Sequence, residues 1–218
     1  MFNPSIIERI QHKIYLKTMP FFAVFRRSRL KRADFTIISN NCWGGVCYEY
    51  FGMQKKSPTV GTFLFATDYI KFVKKLRNYL NKEITFLCAE KSKHYDYIKK
   101  NNIHCPIGLL DDIEIFFLHY PNENTARDKW NRRIKRINWD NMIFKFSLMN
   151  ECTLRELKEF DDAKLPGKKL MFVNKPNMGF KHGIYYPGYE QDTTIENDTF
   201  YWNRYINVVK FLNENYGK

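Results

Sequence analysis

The chain lacks the phosphate-binding motifs of the common nucleotide enzymes. It contains neither a Gly-x-Gly-x-x-Gly turn nor a loop ending in Gly-Lys-Ser/Thr, so dinucleotide-binding and NTPase functions have no motif to support them. A Gly-x-Ser-x-Gly nucleophile elbow is missing too. The five histidines are scattered, and no His/Cys spacing matches a usual zinc site, so we expect no metal centre.

Long apolar runs and paired cysteines are also scarce. No stretch approaches the roughly 20 apolar residues that a membrane span requires. The run Met19–Phe25 is too short for a signal peptide and is followed by Arg26 and Arg27. Five cysteines without repeated spacing predict reduced thiols. We therefore expect a cytoplasmic protein, with peripheral attachment to the inner face of a membrane left open.

Positive charge is abundant and unevenly distributed. Lys and Arg number 36 against 23 Asp and Glu, which gives a net charge of +13. Residues 6–33 contain eight basic residues and one acid, with apolar residues between them. This pattern fits two interpretations equally well: an interfacial segment on an anionic leaflet, or a packed helix with a basic outer face. No nucleic-acid-binding module is recognisable, so we expect no nucleic-acid partner.

Strand-like and helix-like patterns alternate after residue 33. Short apolar runs predict strands at 35–38, 84–89, 113–119, 142–148 and 169–173. Helical spacing of apolar residues, and a capping box at Thr153–Glu156, predict helices at 66–80, 92–100, 123–137, after 153 and at 200–213. The prediction is an α/β fold: residues 1–33 form a basic amphipathic segment, and residues 34–218 form a doubly wound, largely parallel, Rossmann-like sheet with helices on both faces.

The turn after the first predicted strand is the leading candidate for a site. It reads Ser39-Asn40-Asn41-Cys42-Trp43-Gly44-Gly45. Ligands bind at the carboxyl ends of parallel strands, and two glycines let the backbone approach a ligand closely. A helix starting near Gly45 would direct free N–H groups at the turn and lower the pKa of Cys42. The alternative is structural, because cysteine is a common core filler and Asn-Asn is common turn chemistry.

Two further residues are expected at the same edge of the sheet. His119 ends the strongest predicted strand, where an imidazole suits proton transfer near neutral pH. Arg133 falls within the apolar stripe of the next helix, with Lys129 and Arg136 beside it. A guanidinium on a buried face needs a carboxylate or an anionic ligand. A scaffolding histidine and a salt-bridged arginine are the alternatives.

These segments together resemble a known family. Ser39–Gly45, Ser57-Pro58-Thr59, Leu118-His119-Tyr120 and the run Trp130–Asn138 resemble a bacterial family of unknown function whose members are often labelled exopolysaccharide biosynthesis proteins. The resemblance spans about residues 34–174 and implies a role in surface polysaccharide. More distantly, Asn41-Cys42 after a first strand is similar to capsule-biosynthesis proteins thought to bind coenzyme A and transfer acyl groups.

The leading hypothesis is a transferase acting on a phosphorylated or activated sugar precursor, with coenzyme A or a nucleotide-sugar as the candidate donor. Its expected catalytic residues are Cys42, His119 and Asn41. Its expected substrate-binding residues are Asn40, Trp43, Gly44, Gly45, Ser57, Thr59, Trp130, Arg133 and Arg136. A Cys–His hydrolase and a non-catalytic, membrane-associated scaffold of polysaccharide assembly are the alternatives. The sequence predicts no particular oligomeric state.

Overall fold

The computed structural model describes residues 4–214, so the last four residues of the predicted α/β domain lie outside the described part. The strands are β1 Thr36–Ser39, β2 Thr85–Leu87, β3 Ile107–Leu110, β4 Ile113–Phe116, β5 Met142–Ser147, β6 Lys168–Val173 and β7 Gly183–Tyr185. The α-helices are α1 Ile6–Thr18, α2 Ala23–Ser28, α3 Trp43–Tyr50, α4 Ala66–Lys74, α5 Leu76–Leu80, α6 Tyr95–Lys100, α7 Glu123–Ile134, α8 Leu154–Asp162 and α9 Val208–Asn213. The predicted α/β class is confirmed.

A four-stranded parallel sheet forms the centre of the molecule. Its strand order is β1-β5-β6-β7, and each neighbouring pair is parallel. Every residue of β1 and β5 is buried, so both faces of the sheet are covered. This accounts for the near-continuous apolar runs in these strands. The capping box predicted at the start of α8 is present: Thr153 Oγ1 accepts from the Arg155 N–H, and the Thr153 N–H donates to Glu156 at 2.9 Å.

Two predicted strands belong to a second, antiparallel sheet. Its order is β2-β3-β4, so the segments 84–89 and 113–119 do not extend the parallel sheet. β4 follows β3 after Asp111 and Asp112, and such a short connection permits only antiparallel pairing. Apolar content alone does not distinguish a buried antiparallel strand from a parallel one. β4 ends at Phe116, so His119 lies in the following turn rather than in the strand.

The helices differ from their predicted bounds mainly at their ends. The helix predicted at 66–80 is interrupted at Lys75, which separates α4 from α5. The helix predicted at 200–213 is only α9, and the preceding residues form turns. The cap of α9 explains this start, because the Asn207 side chain accepts from the Lys210 N–H at 3.0 Å.

An irregular C-terminal segment, residues 186–202, covers the carboxyl ends of the parallel strands. The Ile195 N–H donates to Leu148 O at 2.7 Å, just beyond β5. The Asn174 side chain, just beyond β6, donates to Tyr189 O at 3.1 Å and to Asp192 O. The edge where parallel α/β sheets usually bind ligands is therefore filled by the chain itself.

The N-terminal segment presents large apolar side chains to solvent. Among residues 4–214, twelve large apolar side chains are exposed, and nine of them lie between residues 6 and 25. We call this set the N-terminal apolar surface: Ile6, Ile7, Ile10, Ile14, Leu16, Phe21, Phe22, Val24 and Phe25. None of the described helices is long and apolar enough to span a bilayer.

Candidate functional site

Cys42 and His119 line the same cavity, which has a volume of about 290 Å³. His119 is exposed, so this cavity opens to solvent. We call it the His119 cavity, and its lining comprises Cys42, Gly45, Val46, Glu49, Lys55, Val60, Gly61, His119, Tyr120, Lys129 and Arg133. It lies beside the parallel sheet, between α3, the loop around Val60, the turn at His119 and the second half of α7. Four predicted site residues therefore meet there: Cys42, Gly45, His119 and Arg133.

One face of α3 forms a wall of the cavity. Cys42 is the N-cap residue, and Gly45, Val46 and Glu49 follow it at helical spacing. A methyl group on Gly45 would meet the Val60 side chain at 3.2 Å, so glycine allows the helix to approach the 60–61 loop closely. The wall continues across the cavity at Gly61 and His119.

Gly61 brings the two loops of the cavity together. Its φ is +77°, a left-handed conformation that favours glycine, and a Cβ there would lie 3.1 Å from the Tyr120 ring. The His119 N–H donates to Gly61 O at 3.2 Å. The bridge between Phe63 and Phe116 lies in the same pair of segments. These contacts, rather than a shared parallel sheet, hold His119 beside α3.

Arg133 is a buried cation with neutral partners. Only 7% of the residue is exposed, and its guanidinium donates to Val60 O at 2.9 Å and to the Tyr120 hydroxyl. The Tyr120 hydroxyl in turn donates to Val60 O at 2.6 Å. Within residues 4–214, no carboxylate forms an ion pair with Arg133. A desolvated guanidinium without a counter-charge attracts an anion.

The remaining charges strengthen the positive field of the cavity. Lys129 lies one turn before Arg133 on α7, and its ammonium is 5.2 Å from the centre of the Tyr120 ring. Lys55 pairs with Glu49 at 2.7 Å. The lining thus contains three Lys or Arg side chains and one carboxylate, so the cavity carries a net positive charge before His119 is counted.

Cys42 is a thiol rather than a thiolate at neutral pH. Burial and, to a smaller extent, the Asp198 carboxylate raise the pKa of Cys42 to about 11, against the opposing effect of Lys145. The prediction that a helix N-terminus lowers this pKa does not hold, because desolvation outweighs the helix field. The Asn41 side chain also accepts from the Trp43 N–H at 3.1 Å, which occupies one of the free amides of that terminus.

The two asparagines of the turn are held by the protein itself. Asn41 Nδ2 donates to Asp198 at 2.7 Å, and Asn41 Oδ1 accepts from Lys145 at 2.8 Å. Asn40 is fully buried, and its amide donates to Ser147 O at 3.3 Å. Neither residue lines the His119 cavity. Their role in the described structure is to tie the turn to β5 and to the C-terminal segment.

The other predicted binding residues lie outside the cavity lining. Trp43 is buried and donates to Trp202 O at 2.8 Å, and Gly44 packs against Ile37. The Ser57 and Thr59 hydroxyls are 3.0 Å apart, and Thr59 also accepts from the Ser39 N–H. Trp130 on α7 is fully buried, and Arg136, just after the helix, is half-buried.

A buried polar cluster lies behind Cys42, at the carboxyl ends of β1 and β5. The Lys145 ammonium and the Ser147 hydroxyl both donate to Asp198, and the Lys145 and Asp198 side chains have no exposed surface. Burial lowers the pKa of Lys145, and the Asp198 charge opposes this. Sequence reasoning did not identify this cluster. A lysine inside an otherwise apolar strand was the available signal, since such a charge requires a partner.

Sequence reasoning also missed part of the cavity wall. Glu49 and Val46 follow Cys42 at helical spacing, so they become visible once α3 is recognised as a helix. Lys55, Val60 and Gly61 lie in a loop without periodicity, so no pattern indicated them. As for metals, the described residues bring no three His, Cys, Asp or Glu side chains together at one point.

The fold and the cavity define an α/β protein with an open, positively charged pocket beside its parallel sheet. Residues 13–214 match the model of a family described as a domain of unknown function, DUF1919, and the chain belongs to that family. The chain is also similar to an uncharacterised protein of Haemophilus influenzae. The two are 30% identical over 168 residues, which cover 77% of this chain and 75% of the relative.

Proposed function

We propose that the protein is a transferase that acts on a phosphorylated precursor of surface polysaccharide, with the anionic part of a substrate held in the His119 cavity. The observation that carries the proposal is Arg133, a buried guanidinium with only neutral partners on the wall of an open cavity. Planar guanidinium groups bind phosphate through two parallel hydrogen bonds, and a buried one binds it in a low dielectric.

His119 is the proposed general base. In an acyl transfer, an acceptor hydroxyl gives its proton to the imidazole while its oxygen forms a bond to the acyl carbon of a thioester donor. The carbon–sulfur bond then breaks, and the leaving thiolate takes the proton from His119. Cys42 stays a neutral thiol in this scheme and donates a hydrogen bond, since its pKa of about 11 disfavours attack by a thiolate.

The size of the cavity limits how much of the donor it holds. A volume of about 290 Å³ lies at the small end of the range of about 300–1,000 Å³ for small-molecule sites. The phosphate-bearing end of coenzyme A or of a nucleotide-sugar fits this volume, and the rest of the donor would lie outside. Lys129, at the same wall, would bind the outer phosphate oxygens.

Thermal shift measurements test the binding step. Inorganic pyrophosphate, coenzyme A, nucleotide-sugars and sugar phosphates are each added to the purified protein, because a ligand that binds only the folded state raises Tm. We expect at least one to raise Tm, with no increase for Lys129→Met or Arg133→Met. Arg132→Met is the matched control, because Arg132 is exposed on the same helix and does not line the cavity.

Two results would overturn this proposal. One is that no compound of the panel raises Tm, and the other is that Lys129→Met and Arg133→Met respond as the unmodified protein does. Lys129 is only half-buried, so its variant keeps the test valid if Arg133→Met fails to fold.

A second experiment tests the chemical step, with His119→Ala and Cys42→Ala introduced into cells. Unchanged polysaccharide modification in both would refute their assigned roles.

The alternatives make different predictions. A Cys–His hydrolase requires a reactive thiolate at Cys42, and the raised pKa of that thiol argues against it. If the protein were a non-catalytic scaffold, substitutions of His119 and Arg133 would leave its activity in polysaccharide assembly unchanged, and substitutions in the N-terminal segment would reduce it.

A Rossmann-like, doubly wound arrangement stays a proposal that the four parallel strands support in part.

A further inference from the structure

Helix α1 packs against the protein with its polar and aromatic side. The Glu8 carboxylate accepts from the Tyr201 hydroxyl at 2.5 Å, and the His12 ring stacks on Phe200 with ring centres 4.2 Å apart. Tyr15 accepts from the Trp202 indole at 3.1 Å. The isoleucines of α1 lie on the other side, and Ile6 is 77% exposed. A surface helix in water has the reverse orientation, with its apolar stripe against the core.

The N-terminal apolar surface continues from α1 through the following turn into α2. Phe21 is 83% exposed and Phe25 is 67% exposed. The nine side chains together expose about 1,000 Å², taking roughly 150–200 Å² for each fully exposed large side chain. The largest apolar patch of a typical monomer is about 300–600 Å², and larger patches mark interaction sites. The exposed apolar area of this segment therefore exceeds that of the largest patch on a typical monomer, which favours an interaction site.

Basic residues predominate in the segment that carries this surface. Arg9, Lys13 and Lys17 are spaced four residues apart, so they form a row along one side of the α1 isoleucines. Five more basic residues follow between residues 26 and 32. Glu8 is the single acid between residues 6 and 33, and it faces the protein. The segment that carries the apolar side chains is thus strongly positive, with eight basic residues against one acid.

We infer that the N-terminal apolar surface inserts into the headgroup region of an anionic bilayer leaflet. Its apolar side chains enter the acyl boundary, and the basic row binds lipid phosphates at the level of the headgroups. The long aliphatic stems of Lys13 and Lys17 allow their ammonium groups to reach that level. A second copy of the chain fits less well, because it would bring two strongly basic segments together.

Vesicle co-sedimentation of the full chain tests the inference. The protein is mixed with vesicles of phosphatidylcholine alone or of phosphatidylcholine with phosphatidylglycerol. We expect at least tenfold stronger binding to the anionic vesicles. Phe21→Ser with Phe25→Ser should reduce binding at least tenfold, through lost apolar burial. Lys13→Gln with Lys17→Gln should reduce it by about twenty-five-fold, roughly fivefold for each charge near the surface.

Matched changes elsewhere separate this surface from general effects. Leu154→Ser removes an exposed apolar side chain from α8, and Lys99→Gln with Lys100→Gln removes two exposed charges from α6. Neither control should change vesicle binding. Equal binding to neutral and anionic vesicles, or no binding to either, would overturn the inference. So would a dimer in sedimentation velocity that Phe21→Ser with Phe25→Ser dissociates, because a second copy would then cover the surface.

Discussion

Substituting Asp198 by asparagine should destabilise the protein strongly. The change removes the carboxylate that balances the Lys145 ammonium, and both side chains are fully buried. Breaking a buried ion pair by removing one partner costs about 3–5 kcal/mol, because the other charge stays buried without compensation. For a chain of this size we expect Tm to fall by about 6–20 °C. Urea unfolding followed by circular dichroism measures the free energy directly.

A double-variant cycle tests whether the ion pair causes the loss. Lys145→Met should also cost about 3–5 kcal/mol, because it leaves Asp198 unpaired. Lys145→Met with Asp198→Asn removes both charges, so its cost should be well below the sum of the single variants. The exposed pair Lys74–Glu159 is the control, and Glu159→Gln should cost about 0–1 kcal/mol. A cost below about 1 kcal/mol for Asp198→Asn would refute the assigned role of this pair.

Two further predictions concern single titrating groups. The pKa of Cys42 is about 11, against an ordinary 9.0, so this thiol has about a hundredfold less thiolate at pH 8. Iodoacetamide labelling, mapped by mass spectrometry, should therefore modify the exposed Cys88 well before Cys42. Faster labelling of Cys42 would contradict this prediction. Burial raises the pKa of Asp68, but hydrogen bonds from His94, Lys93 and the Glu114 N–H outweigh this and lower the pKa below 3.8. The ionised Asp68 therefore stabilises the folded state above pH 3.8, and this contribution is lost as the pH falls through the lower pKa of the folded state. Urea unfolding between pH 6 and pH 3 should therefore show a smaller loss for Asp68→Asn than for the unmodified protein, and equal losses would exclude this carboxyl as a source of acid sensitivity.

The central strands of the parallel sheet were predictable because burial on both sides leaves a clear trace, whereas β3 and β7 were not predicted. The runs that became β1, β5 and β6 are largely apolar, and a capping box marked the start of α8. The sheet to which a strand belongs was less predictable. β4 has the same apolar character as β5, and only the two residues that connect it to β3 require antiparallel pairing.

The site was partly predictable from the sequence, and the physical reason differs from residue to residue. Cys42 and His119 were expected together at one edge of a parallel sheet, yet they meet through the loop at Gly61. Arg133 was identified because a cation within an apolar stripe conflicts with burial. Asp198 was not, since it lies in an irregular segment whose position depends on its partners rather than on periodicity.

Helix α3 connects the His119 cavity with α2, which carries part of the N-terminal apolar surface. Its Cys42–Glu49 face lines the His119 cavity, while its last residue, Tyr50, lies under the Arg26 guanidinium of α2 at 4.1 Å from the ring centre. The helix has eight residues and is therefore about 12 Å long. With the proposed membrane docking, a substrate anchored by a lipid tail would meet the pocket within a short distance of the leaflet, without leaving it. Under the proposed function, sugar units would then be modified while their carrier diffuses in two dimensions.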